Sequence, residues 1–286
     1  RQLISKRRRY VDYVLDHDKL PKALNPHRRL VALLNWHMKG LFLGTNDALR
    51  KMLSSLSLSN IRFGLQLIED YYTSYHSLFH MFYSKYNHIE DIPQDDEVDV
   101  SDEFTHFLQA LMLKNDWSYD ERDSDILNLF AVDSEEQSSH FIALAVLAYL
   151  SREQSSPKNG VKIDSLVGDL ILFGYQRHHI ENTIKRLLQA SIIVSPRIPL
   201  GMFRKPDIPD LAGDTRINLS AKGYYYLNYL ASNLYYQARS GEDTVWYDEE
   251  RASIYIKALK ESLEAQDSYG SEDSLLATDA GGVFMQ

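Results

Sequence analysis

The chain has 286 residues, 44% of them hydrophobic and 25% charged, with no cysteine and a formal charge of −9. This is the composition of a soluble globular protein with room for two or three domains. The absence of cysteine excludes a disulfide framework, a thiolate zinc site and a cysteine nucleophile, and points to a reducing, cytoplasmic setting. Its acidity excludes an indiscriminate nucleic-acid coat.

No apolar run approaches the roughly 18 residues that a membrane span needs, and no signal peptide opens the chain, so no membrane partner is expected. The chain begins at Arg1 rather than methionine, which suggests a piece of a longer polypeptide. Residues 1–50 hold eleven Lys/Arg against four Asp, whereas residues 90–136 hold sixteen Asp/Glu against Lys114 and Arg122. Such blocks usually form solvated faces, although each could also serve a different partner.

The front half reads as helix throughout. Leu3, Ile4, Tyr10, Val11 and Val14 have helical spacing and stop before Pro21. Pro26 suits the first turn of a second helix, whose stripe is Leu30, Leu33, Leu34 and Met38, closed by Gly40 and Gly44. A third helix covers about 46–56. The fourth starts at Asn60 with Ile61, Leu65, Ile68, Tyr72 and Phe79 in phase, and extends to about Tyr86. After Pro93 and Asp95-Asp96-Glu97 comes a short helix near Phe104–Leu113. An acidic stretch, 114–138, then reads as a connector. The expected layout is a helical lid-like domain (1–88), an acidic helical connector (89–138), a second domain with its following helix (139–250), and a terminal helix with a loose tail (251–286).

From His140 the pattern changes. An apolar helix carrying Phe141, Leu144, Leu147 and Leu150 ends before a Ser-Ser-Pro-Lys-Asn-Gly turn. Val161-Lys162-Ile163 can pair as a very short strand. Asp164 fits an N-cap for a helix bearing Leu166, Leu170, Ile171 and Phe173, and Gly174 fits the tight turn after it. The next helix, about 177–190, buries Ile180, Ile184, Leu187 and Leu188. Two β-rich runs, 192–194 and 215–219, then make a hairpin. This order is that of a winged helix, so the expected fold class is mainly α with one small β hairpin. In a DNA-reading version the third helix enters the major groove and the wing touches phosphate. The nucleic-acid candidates are Arg177, His178, Lys185 and Arg186 on the helix, with Arg197, Arg204 and Lys205 on the wing. Glu181, Asp207, Asp210 and Asp214 oppose that use, and the prolines of 195–213 suit a stiff docking arm as well.

Three stretches carry a family resemblance: Ile4-Ser5-Lys6-Arg7-Arg8-Arg9-Tyr10-Val11, Ser59-Asn60-Ile61-Arg62-Phe63-Gly64-Leu65, and Leu219-Ser220-Ala221-Lys222-Gly223-Tyr224-Tyr225-Tyr226-Leu227 with Gly241-Glu242-Asp243-Thr244. Together they resemble the carboxy-terminal lid and winged-helix region of AAA+ and STAND-type P-loop ATPases, including those of prokaryotic antiviral defence, over about residues 1–250. The resemblance implies that Asn60 and Arg62 take part in nucleotide binding, with Arg62 as a lid arginine near a γ-phosphate. Ser59 and Gly64 depart from the family's glycine and alanine. The chain has no Gly-x-x-x-x-Gly-Lys-Ser/Thr loop. It would therefore bind no cofactor alone, and ATP would be held by a domain upstream of Arg1.

No catalytic constellation stands out. His76 and His80 have metal-ligand spacing without a third ligand, and packing among Tyr72, Tyr75, Phe79 and Tyr83 explains them more simply. There is no nucleophile elbow and no His-Glu-x-x-His. The nineteen tyrosines read mainly as packing. The leading expectation is a non-catalytic regulatory and assembly region of a P-loop ATPase, whose partners are the other domains or subunits of an oligomer. The alternatives are a DNA-binding winged-helix protein with a helical dimerisation domain, and a structural adaptor subunit.

Overall fold

The computed structural model describes residues 27–43, 47–93, 103–131, 141–153, 160–196, 211–244, 246 and 248–269. Among the described residues the fold is mainly helical with one small antiparallel sheet of three strands. The chain divides into two compact units, Arg1–Ser54 with Leu65–Asn115, and Ser55–Gly64 with Asp116–Gln286. The expected first helix and the acidic Asp95-Asp96-Glu97 loop lie outside the described residues. No helix among those described is long and apolar enough to cross a membrane.

The front of the chain forms α1 (Arg28–Leu43), α2 (Asp47–Leu56), α3 (Ile61–Thr73), α4 (Phe79–Lys85) and α5 (Glu103–Leu113). Helix α1 runs through Gly40 instead of closing there, and its buried side chains are Leu33, Trp36, His37 and Leu41. Three of the four follow the i, i+4, i+8 row of a helix face.

The fourth expected helix is two helices. Its backbone leaves the ladder at Ser74, whose hydroxyl donates to Lys114 O at 2.5 Å and accepts from His76 N. Ser77 then accepts from Phe79 N as α4 begins. Serine side chains that offer local hydrogen bonds compete with helix continuation, and here they win. The inward stripe also differs. Ile61 and Leu65 are exposed, while Leu67, Ile68 and Tyr71 are buried. Tyr75 and Tyr83 are exposed too, and Arg29 lies over the Tyr83 ring. The break removes His76 and His80 from a shared helix face.

The second unit holds α6 (Ile142–Glu153), β1 (Val161–Lys162), α7 (Ile163–Leu172), α8 (Arg177–Gln189), β2 (Ile193–Val194) and β3 (Arg216–Leu219). The strands lie in the order β1-β3-β2, with Val161 opposite Ile217 and Ile193 opposite Leu219. Leu147, Leu150, Leu166, Val167, Ile180, Ile184, Leu187 and Ile217 make the core between helices and sheet. Gly174, at φ +95°, ends α7 with its N–H on Ile171 O, and Tyr175 N reaches Leu170 O. Glycine adopts that conformation without a Cβ penalty.

Asp164 is not the cap of α7. Lys162 stands there, and the free N–H groups of Ile163 and Asp164 donate to Thr215 O and Gly213 O. The chain entering β3 thus supplies the acceptors that a capping side chain otherwise would. After β3 come α9 (Ala221–Tyr225), a π-helical turn (Tyr226–Leu230), α10 (Leu234–Glu242) and α11 (Glu249–Tyr269). Residues 116–131, read from sequence as part of a connector, pack within this unit, with Ile126, Leu127, Leu129 and Phe130 buried.

Candidate interaction face of the carboxy-terminal unit

The α7–Gly174–α8 corner presents three consecutive exposed apolar side chains. Ile163, Leu166, Val167 and Leu170 already fill the inward face of α7 at i, i+3, i+4 and i+7. The next three residues therefore point away from the core. Leu172 is 85% and Phe173 78% exposed, and Ile171 is exposed as well. The sequence reading named Ile171 and Phe173 with Leu166 and Leu170 as the apolar residues of this helix, without separating them from those that fill the core. The completed i, i+3, i+4, i+7 set was the signal that they are surplus to it.

Arg177 and His178, at the start of α8, are exposed beside this tip, and Asn182 follows on the same helix. Arg177 Nη1 lies 3.2 Å from Glu181 Oε1, one turn on, so its charge is partly answered within the helix. Lys185 is half-buried. His179, adjacent to His178, is buried, and the two ring centroids lie 3.9 Å apart.

Arg186 does not belong to this face. Its guanidinium turns inward and donates to Ala131 O at 2.8 Å and to Asn128 O at 2.5 Å, while Nε lies 3.7 Å from Glu121 Oε1. A guanidinium turned to two backbone carbonyls beside a carboxylate is not presented to phosphate on the exposed side of α8. Arg197, Arg204 and Lys205 lie outside the described residues. Of the seven nucleic-acid candidates, the structure therefore brings Arg177, His178 and Lys185 together on α8.

Asn60 and Arg62 sit at the start of α3. Asn60 Oδ1 accepts from Arg62 N at 3.0 Å and from Phe63 N at 3.2 Å, which is the work of an N-cap. The two residues before it, Leu58 and Ser59, have φ of +49° and +62°. Ser59 thus adopts a glycine-type backbone where the resembled family has glycine. Gly64 is buried against the Ser57 side chain, 3.5 Å from where a Cβ would stand. The Arg62 side chain is exposed.

The first unit contains a separate buried polar cluster. Glu103 is fully enclosed. One carboxylate oxygen meets His37 Nε2 at 2.5 Å and the other accepts from Tyr71 OH, while His37 Nδ1 lies 3.0 Å from Tyr72 OH. Burial and the adjacent carboxylate push the Tyr71 phenol far above its usual range, so it remains a donor. Every oxygen of Glu103 is satisfied within the core, which fits a structural network. Among the described residues no group of three or more His, Asp or Glu could hold a metal ion.

No protein-family model, curated protein or solved structure matches the chain.

Proposed function

We propose that the second unit is a winged helix and that the chain is a non-catalytic regulatory and assembly region of a P-loop ATPase, in which this winged helix docks a protein partner. The order helix, strand, helix, helix and antiparallel pair, with β3 between β1 and β2, supports the winged-helix reading. The ATPase assignment rests on the resemblance of three short stretches, with Asn60 and Arg62 at the mouth of a lid helix.

One observation carries the preference for a protein partner. The corner that would approach a groove presents Leu172 and Phe173, while one of its expected cations, Arg186, is spent inside the fold. Exposed aromatic and aliphatic side chains suit a dry protein contact, whereas phosphate recognition needs unsatisfied cations.

The test pairs the chain with the P-loop core encoded in the same reading frame. Addition of ATP should protect residues 58–66 from hydrogen exchange, and Arg62→Ala should abolish that protection. A reading frame without a Walker loop, or protection indifferent to Arg62, would overturn the ATPase assignment. The competing DNA reading draws on exposed Arg177 and His178. It requires duplex binding that weakens with salt and falls on Arg177→Ala.

A further inference from the structure

Residues 126–131 have neither helix nor strand, yet Ile126 through Phe130 are buried. A buried irregular segment must find a partner for each backbone polar group or lose much stability. Here the partners are side chains of the surrounding helices and turns. Tyr226 OH accepts from Leu127 N at 2.8 Å. Tyr236 OH donates to Leu127 O and accepts from Leu129 N, both at 2.8 Å. Arg186 holds the carbonyls of Asn128 and Ala131, and Tyr119 OH donates to Ile126 O at 2.6 Å.

One side chain of the segment is read specifically. The Asn128 amide donates to Ser240 O at 2.9 Å and to Thr244 Oγ1 at 3.0 Å, and its oxygen folds back to accept from Phe130 N at 2.8 Å. Backbone capture that ignores sequence, one polar side chain in a fitted pocket and apolar side chains in the spaces between are how a cleft binds a peptide. None of these contacts belongs to the ladders of α8 or α10. The segment can therefore leave without breaking either ladder.

We propose that the second unit contains a peptide-recognition cleft whose ligand is the chain's own Leu127-Asn128-Leu129-Phe130 turn. The segment docks and releases as a unit, without unfolding the helices that hold it. Asn128 is the specificity determinant, and Tyr226, Tyr236 and Arg186 are the backbone clamps. The proposal stands whether or not the chain serves an ATPase.

Two measurements test it. In the intact wild-type chain, the amides of Leu127 and Leu129 should exchange at least about tenfold faster than those of Ile184 and Leu187 in α8, because the segment opens alone. Exchange of all four in step would overturn the proposal. In the second, the full chain carrying Leu127→Ser, Asn128→Gly and Phe130→Ser is titrated with a labelled peptide of residues 124–131. The peptide should bind this variant at least about tenfold more tightly than wild type, whose tethered copy competes at an effective concentration on the order of millimolar. Asn128→Ala in the peptide should weaken binding by a similar factor. Absence of binding to a variant that keeps wild-type helical circular dichroism would also overturn it. Should the variant fail to fold, the exchange measurement on wild type decides alone.

Discussion

His37 Nε2 and Glu103 Oε1 lie 2.5 Å apart with neither side chain reaching solvent. Removing one member of such a pair leaves a buried polar group without its partner, which typically costs about 3–5 kcal/mol. Replacing both with apolar side chains of similar size costs far less. Glu103→Ala should therefore lower the urea midpoint sharply, and His37→Phe with Glu103→Leu should recover only part of the loss, because the Tyr71 and Tyr72 hydroxyls lose these partners as well. Equal damage from the single and double changes would mean that packing around Tyr71 and Phe107, rather than the pair, sets the stability.

Gly223 allows a close approach. A Cβ there would stand 2.2 Å from Ile192 O and 2.7 Å from Leu219 Cδ1. The carbonyl belongs to backbone that also accepts from Ser220, so it has little room to retreat. Gly223→Ala should cost about 1–3 kcal/mol, as overpacked core positions do. Thermal unfolding would reveal this, and a neutral result would mean that α9 can shift away from β2.

Arg186 and Arg177 are on the same helix and should behave oppositely. Arg186→Ala removes charge-assisted bonds to two carbonyls and should destabilise by about 2–3 kcal/mol. Arg177→Ala removes an exposed i, i+4 pair and should stay within about 0.5 kcal/mol. Denaturation midpoints of the two variants, measured side by side, check the assignment.

Asn60→Ala should cost about 1 kcal/mol through the lost cap of α3. Arg62→Ala should leave stability unchanged, because only its backbone N–H joins that cap. An Arg62 variant as unstable as the Asn60 variant would reveal a structural role for the guanidinium.

Lys222 gives the alkaline limb of the stability profile its shape. Burial holds its ammonium down to about 8 from 10.5, with Asp125 opposing the shift. Between those values the unfolded chain binds more protons than the folded one, so stability rises with pH across that window. Below about pH 8 the full cost of the buried charge, on the order of 3 kcal/mol, is present. The buried phenols of Tyr71, Tyr226 and Tyr236 act in the other direction, since burial raises each above its ordinary value. Their contribution is complete below pH 10 and is lost as pH climbs beyond it. Stability should thus climb from pH 8 toward 10 and then fall. Lys222→Met should raise the midpoint at pH 7 and flatten the climb, and an unchanged slope would clear Lys222 as its source.

The inward faces of α8 and the strands were legible because their periods are clean, with Ile180, Ile184, Leu187 and Leu188 on one side and Ile193, Ile217 and Leu219 as short β runs. The break at Ser74 was not legible. The local bonds of Ser74 and Ser77 were within reach of a sequence reading, but the carbonyl of Lys114 that Ser74 also meets lies forty residues away, and no local window contains it. The docking of 126–131 was hidden for the same reason, since Tyr226 and Tyr236 stand about a hundred residues downstream. The exposure of Arg177 and His178 could be read from the polar side of α8. Arg186 was misread because an inward-facing arginine and an outward-facing one look alike in sequence.

Ala231 N donates to Tyr226 O at 2.8 Å, five positions back, so the turn beginning at Tyr226 holds one residue more than an α-turn. That extra residue widens the last turn, and the helix ends with it: Asn233 N donates to Leu230 O, and Asn233 is itself extended before its side chain caps α10 at Tyr236 N. The two clamping phenols, Tyr226 and Tyr236, thus stand on either side of a corner whose span is set by a residue count. Deleting any single residue from 227–229 should draw the start of α10 toward Tyr226 and pull Tyr236 off the backbone of Leu127 and Leu129. Exposed Asn228 gives up only its bond to Tyr224 O when its identity changes, whereas the count cannot change.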